Sequence, residues 1–591
     1  MLHEYSRRIA FWSEAIAHGE RIHYLVSNLR LAAAAAGAAV VWLAFVRDAI
    51  SPSWTLAPLA GFIALVAVHA RVLQRNERAA RARRLYERGL DRLEGRWAGS
   101  GPDGARFLAD HAYARDLDLF GHGSLFQLLD TARTEAGQDT LADWLRRPAA
   151  IEEILARQAA VVELAPQVEF REALAVIAAE AQVGRTSALD RWAAMSPVGL
   201  SLALGTLFAA FGVVTAMLVT AALMGRVPRS VVLAWLVAEI AVAVRWRRPV
   251  ADVVHRIDTA SDDLGLFREL LETIESGAFV APWLAALHAR LVSGGVRPSR
   301  HIARLQAFVS LLDQYQHNPY FRVIGTPLLV GGVLAVAIDR WQTAHGRALA
   351  GWLRAVGELE ALASFATYAY EHPADPFPTL TTAGPVFDAR AIAHPLLSGS
   401  GAVPNDVALG GQGPQVLIVS GSNMSGKSTL LRAVGVNVVL GLAGAPVRAA
   451  SLVLSPVALG ATIRVEDSLL AGQSRFYSEI LRIRGIVETA RGPLPLLFLL
   501  DEILHGTNSY DRRIGAEAIV RALAGAGAIG LITTHDLALT ELPATLGPRV
   551  ANVHFEDRIV DGKMVFDYRM REGVVERSNA LALMRAIGLD V

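Results

Sequence analysis

The chain has 591 residues, room for about three to five structural units of ordinary size. Hydrophobic residues make up 53%, charged residues only 19%, and the mean hydropathy is +0.34, which excludes intrinsic disorder and leaves more apolar material than a purely soluble chain would hide. The formal net charge of +1 sets up no global field, and the absence of cysteine rules out disulfides, thiol catalysis, iron–sulfur clusters and Cys-type zinc sites, as fits a reducing compartment.

Four charge-poor stretches come first in chain order. Leu31 to Val46 lies between Arg30 and Arg47, and Trp54 to Ala70 ends at Arg71. Pro197 to Gly225 carries no charge, and Ser230 to Val244 carries only Glu239. A bilayer core of about 30 Å needs about 20 apolar residues. The third stretch meets this alone, and the short links Arg47–Ser53 and Arg226–Arg229 make each pair read as a helical hairpin. Arginines gather at the outer ends, at Arg7, Arg8, Arg21 and Arg30, then Arg71 to Arg84, then Arg245 to Arg248. By the positive-inside rule, the N-terminus and the segments after each hairpin face the cytoplasm. The expected location is therefore a membrane crossed four times, with Glu239 turned toward another helix. A fifth apolar run, Val323 to Ile338, would make the count odd, so it reads as a buried soluble helix. Helical, polar-faced sequence fills the intervening regions and closes at Pro373, Pro376 and Pro378.

From about Phe387 the texture changes to short apolar runs punctuated by Gly, Asp and Asn. Gln415–Ser420, Leu494–Leu500 and Ala528–Thr533 read as buried strands alternating with helices, the pattern of a mainly parallel α/β sheet. The first of them runs into Gly421-Ser422-Asn423-Met424-Ser425-Gly426-Lys427-Ser428-Thr429, a P-loop pattern in a strand–loop–helix setting. Its glycines let backbone N–H groups curl around phosphate oxygens at a helix N-terminus. Lys427 would reach the β- and γ-phosphates of ATP, and Ser428 would hold Mg²⁺. Among 57 basic residues only Lys427 and Lys563 are lysine, so a compact ammonium persists where a guanidinium fork would not serve. The run Leu496–Leu500 ends in Asp501-Glu502, a Mg²⁺-side carboxylate beside one able to polarise an attacking water. His535, after Thr534 at another strand end, is a candidate γ-phosphate sensor. The expected enzyme is a Mg²⁺-dependent ATPase.

These motifs together resemble the MutS family, relatives of the DNA mismatch-repair ATPase within the wider ABC-type ATPases. The likeness rests on Asn423-Met424, on Asp501-Glu502 with Gly506-Thr507, and on Thr534-His535. Further agreement comes from Pro404-Asn405-Asp406, Asp467, Ala471-Gly472-Gln473-Ser474, Phe476, Asn552 to Phe555, Phe566 to Tyr568, Glu572-Gly573-Val574 and Ser578-Asn579-Ala580. Upstream, Leu128-Leu129-Asp130, Thr134, Gly137 and Trp144-Leu145 look like the start of the family's core domain. The resemblance implies a multidomain chain. Residues 1–100 hold a membrane hairpin (31–46 and 54–70), 105–190 the first part of the core, 197–244 a second hairpin, 250–378 an all-α core and lever region, and 387–591 the P-loop ATPase domain. It also implies an ATP-dependent homodimer, with Ser474 reaching the partner's γ-phosphate in trans and Asn508 in a loop at the dimer interface.

The chain departs from the family pattern at Ser422, at Leu504-His505 and at Asn508, none of which removes a catalytic atom. The mismatch-reading domain has no counterpart, since Phe170-Arg171-Glu172 and Phe267-Arg268-Glu269 match its Phe-x-Glu string only in helical, core-like settings. Two readings of function stay open: a membrane-anchored MutS-like ATPase acting on DNA, and a membrane ATPase that remodels a protein or lipid partner.

Overall fold

The computed structural model describes residues 1–108, 111–179, 186–258, 264–292, 296–397, 401–464, 475–505, 507–560 and 563–575. The first two apolar stretches lie within much longer helices, Leu2–Phe45 and Leu56–Leu93, joined through a 3₁₀ turn at Pro52–Thr55. Contacts between Gly37 and Pro58, Arg30 and His69, and Gly19 and Asn76 show that the two run antiparallel. Along the apolar half, Leu31, Trp42, Trp54, Leu59 and Ile63 are exposed. The charged half is clamped to the rest of the chain. Arg92 donates through Nε to Glu371 Oε2 at 2.7 Å, and the Tyr5 hydroxyl donates to Glu371 Oε1 at 3.1 Å. Arg8 and Arg78 donate to Glu172 and Glu269, at 2.8 and 2.6 Å. Both Phe-Arg-Glu strings therefore lie on helices, Val168–Ala178 and Leu264–Ser276, with their glutamates spent on holding this hairpin and Phe267 buried in the core.

The second pair folds as helices Leu202–Leu223 and Arg229–Asp258. Glu239 is buried and does face another helix: Thr215 Oγ1 donates to its Oε2 at 2.6 Å, beside the stacked rings of Phe211 and Trp235. Among the described residues, three helical segments are long and apolar enough to cross a membrane: Leu2–Phe45, Pro52–Leu93 and Leu202–Leu223. The Arg229–Asp258 helix, which carries Glu239 and then Arg245, Arg247 and Arg248, is not one of them.

The run Val323–Ile338 is not the one buried helix expected from the sequence. It is split between helices Pro319–Gly325 and Val330–Glu371, which meet at 89°. Thr326 still holds helical geometry, but Pro327 supplies no backbone N–H to continue the helix, and Leu329 takes a left-handed φ of +50° that turns the chain. Tyr320, Val323 and Ile324 are exposed, whereas Leu334, Ala335, Val336 and Ile338 are buried. The 42-residue helix that follows is the axis of the helical region. Near its start Gly332 abuts the ring of Phe208, where a Cβ would come within 2.7 Å, so the Leu202–Leu223 helix packs at close range. Two turns later the buried Asp339 carboxylate accepts from the N–H groups of Val198, Gly199 and Leu200. Near its end Glu360 accepts from the backbone of Arg133 and Thr134, the latter capping helix Glu135–Arg146.

Ten strands follow: β1 (Thr379–Leu380), β2 (Val386–Ile392), β3 (Asn405–Gly410), β4 (Val416–Ser420), β5 (Ser451–Leu454), β6 (Ala458–Thr462), β7 (Leu496–Leu500), β8 (Ile529–Thr534), β9 (Val550–Val560) and β10 (Lys563–Glu572). A four-stranded sheet has the order β1-β5-β2-β3, and a six-stranded sheet the order β10-β9-β4-β8-β7-β6. In the larger sheet every pairing is parallel except β9 with β10. β4, β7 and β8 are buried throughout, which is why they read as unbroken Val, Ile and Leu runs. Asp116, from the helical part, ties the two regions together by accepting from the N–H groups of Ile463 and Arg464 as the chain leaves β6.

Candidate nucleotide site

The carboxyl ends of β4, β7 and β8 lie side by side, with Ser420 opposite Thr534 and Leu500 opposite Ile532. That register brings three loops together. The loop after β4 opens with Gly421 at φ +148°, where a Cβ would fall 2.9 Å from Ser425 Oγ and 3.0 Å from the Phe555 carbonyl. It closes with Gly426 at φ +106°, leading into helix Lys427–Ala443. Between them Met424 holds φ +67° with its side chain exposed. The hydroxyls of Ser422 and Ser425 are buried and find no partner among the described residues. Lys427 is buried too, and its Nζ donates to the carbonyls of Gly421 and Ser422, each at 2.8 Å. Burial lowers its pKa, opposed by the charges of Glu502 and Asp501.

Asp501 links the loops. Its Oδ2 accepts from Ser428 Oγ at 2.6 Å, and its Oδ1 accepts from Thr533 Oγ1. Thr533 Oγ1 in turn accepts from the Glu502 N–H at 2.9 Å. Glu502 sits at φ +47°, an uncommon backbone state for a residue with a side chain. Its carboxylate faces His535 Nδ1 at 3.6 Å and His505 Nδ1 at 3.9 Å.

Beside the loop opens a cavity of about 660 Å³, whose lining includes Asn423, Met424, Lys427, Ser428 and Thr429 together with His394, Leu397, Phe555 and Tyr568. Burial pushes the His394 imidazole down to about 4, helped by the positive charge of Arg432. This keeps the ring neutral at physiological pH. Asn405 fixes the Tyr568 end, donating to the Tyr568 carbonyl at 3.1 Å and accepting from the Met570 N–H at 2.7 Å.

Lys427, Ser428, Asp501, Glu502 and His535 therefore meet at one sheet edge. Ser474, together with Asp467 and Ala471 to Gln473, lies outside the described residues, as do Gly506 and Ser578 to Ala580. Asn508 caps its own helix, Ser509–Gly525, accepting from the Asp511 N–H at 2.9 Å. Sequence reasoning missed Thr533 and His394. A threonine pair ending an otherwise apolar strand was a usable signal for the first, whereas nothing local ties His394 to a loop some thirty residues later.

Fold and site define an α/β domain whose glycine loop and acidic pair meet at the carboxyl ends of parallel strands, joined to a long helical array. Residues 417–590 match the family profile described as MutS domain V. The chain is 33% identical over 241 residues to the DNA mismatch repair protein MutS of Geobacillus kaustophilus, covering 40% of this chain and 26% of that protein. Against the same-named proteins of Bacillus cereus strain B4264 and Bacillus thuringiensis strain Al Hakam it is 34% identical over 231 residues, 38% of this chain and 25% of each. Through this C-terminal region the chain is similar to the MutS family. It spans about a quarter of the length of the relatives it matches.

Proposed function

We propose that the chain is a membrane-anchored ATPase of the MutS type. One observation carries the reading: the Ser428–Asp501–Thr533–Glu502 chain of hydrogen bonds stands beside a glycine loop holding two unpartnered buried hydroxyls. Phosphate oxygens suit such a loop, which offers Ser422, Ser425 and the N-terminus of helix Lys427–Ala443. The apolar wall of Leu397, Phe555 and Tyr568, with neutral His394, suits a nucleobase. Ser428 and Asp501 are oxygen donors of the kind Mg²⁺ takes, and the ion would neutralise phosphate charge. Lys427 leaves the two loop carbonyls to pair with phosphate. Glu502 accepts a proton from the attacking water, and His535 lies within reach of the same carboxylate.

The matched relatives are named for DNA mismatch repair, so DNA is one partner this reading carries. ATP-dependent pairing of two copies, with Ser474 completing the partner's pocket, belongs to it as well. A second reading, remodelling of a protein or lipid partner without DNA, is favoured by a different observation. Both Phe-Arg-Glu strings are locked into helices, and the first hairpin leaves its apolar half uncovered by protein. ATP turnover of the full chain in detergent, with homoduplex and with mismatched DNA, separates the two. Stimulation by DNA supports the first reading and unchanged turnover the second, while absence of any Mg²⁺-dependent hydrolysis sinks both.

Exposed apolar side chains on Leu2–Phe45 and Pro52–Leu93 supply the membrane anchor. A cytoplasmic ATPase domain requires an even number of crossings, so Arg229–Asp258 or the bent pair at Pro319–Glu371 completes the count. Reporter fusions at Ser51 and Pro228 are expected to read outside, and those at Gly95 and Gly410 inside. An outside signal at Gly410 would refute this topology.

A further inference from the structure

Two histidines from different loops face the Glu502 carboxylate. His505 lies three residues after Glu502 beyond β7, and His535 follows β8. The nearest separations are 3.9 Å from His505 Nδ1 to Glu502 Oε2 and 3.6 Å from His535 Nδ1 to Glu502 Oε1. One ligand atom from each of the three residues lies within 4.8 Å of the others. The two imidazole rings meet edge to face, with centroids 5.1 Å apart. The frame behind them is fixed, because Thr533 bonds both Asp501 and the Glu502 backbone and so ties the ends of β7 and β8 together.

We propose that Glu502, His505 and His535 bind a zinc-type transition-metal ion, distinct from the Mg²⁺ expected at Ser428 and Asp501, and that its binding holds the ATPase at rest. The chemistry of the donors selects the ion. Two imidazole nitrogens and one carboxylate suit Zn²⁺ or Co²⁺, whereas Mg²⁺ prefers oxygen alone. Metal–ligand bonds of about 2.0–2.2 Å in a tetrahedron place the ligands roughly 3.3–3.6 Å apart. The half-exposed rings reach that spacing by small rotations about their side-chain bonds. Three protein ligands leave a fourth position for water. The consequence for turnover rests on the ATPase reading above: a carboxylate engaged by metal no longer accepts a proton from water, and a metal-held His535 no longer turns toward phosphate.

The test uses the full chain in detergent, stripped with a chelator and free of nucleotide. Titration with Co²⁺ is expected to give the visible absorption of a tetrahedral imidazole–carboxylate site at one equivalent in the unaltered protein, and none in His505→Ala. In a second arm, Zn²⁺ is added to the Mg²⁺-ATPase assay. His505→Ala is expected to keep its turnover without Zn²⁺ and to need at least about 10–100-fold more Zn²⁺ for half-inhibition, since losing a ligand costs no less than losing a ligand's outer-shell partner. His505→Ala is exposed on a loop, so its folding is not at issue, and equal circular dichroism confirms it. Absence of a Co²⁺ spectrum in the unaltered protein, or equal Zn²⁺ sensitivity of the two proteins, overturns the proposal. A protein that hydrolyses no ATP still reports through the Co²⁺ arm, so failure of the ATPase reading is told apart from failure of this one.

Discussion

Lys427→Ala is expected to lose ATP binding, and Glu502→Gln to keep binding while turnover falls by about 10²–10⁴-fold, the contribution of a positioned general base. The contrast follows from the site. Lys427 is a buried ammonium that donates to two loop carbonyls, and its removal would leave the phosphates without their counter-charge. Glutamine preserves the size of Glu502 and its backbone link to Thr533 but accepts no proton. Nucleotide binding measured by calorimetry, beside phosphate release, distinguishes the two. Unimpaired turnover in Glu502→Gln would remove that residue from its assigned role.

The largest stability effect is expected at Arg92 and Glu371. Both side chains are nearly closed to solvent, at 9% and 1% exposure. Glu371 ends the long helix, where the dipole disfavours negative charge. Removing Arg92 leaves the buried carboxylate with the Tyr5 hydroxyl as its remaining hydrogen bond among the described residues and the more distant Arg171 charge, at a cost of about 3–5 kcal/mol. Arg92→Leu is therefore expected to melt well below the unaltered protein and to release the N-terminal hairpin to protease near Gly99–Gly104. Arg92→Leu with Glu371→Leu should recover most of the loss, since an apolar pair leaves no orphan charge. A double variant no more stable than the single one would refute the ion-pair account.

The α/β region was largely legible because its chemistry is local. β4, β7 and β8 begin or end within two residues of the expected runs, since strands covered on both faces must be apolar throughout. The glycine loop and Asp501-Glu502 follow directly from those strands. What the sequence hid depends on tertiary register. Thr533 reaches Asp501 only because β8 lies beside β7, and His505 meets His535 only because the loops after those strands converge. Glu239 illustrates the halfway case: burial against a helix was foreseeable from its cost in an apolar run, but Thr215 as partner was not. The break at Thr326–Leu329 was missed for another reason. The parity of membrane crossings argues for a helix outside the bilayer but says nothing about its continuity, against which Pro327 carries the signal.

The Val330–Glu371 helix spans about 63 Å at the usual rise per residue. Its first turns lie against Phe208 of an apolar helix, and its last turn receives Arg92 from another before the chain enters β1. A rod of that length acts as a lever. A tilt of about 5° about one end swings the other through about 5 Å, the advance of one helical turn. A small adjustment where the apolar helices pack would thus arrive enlarged at the edge of the sheets.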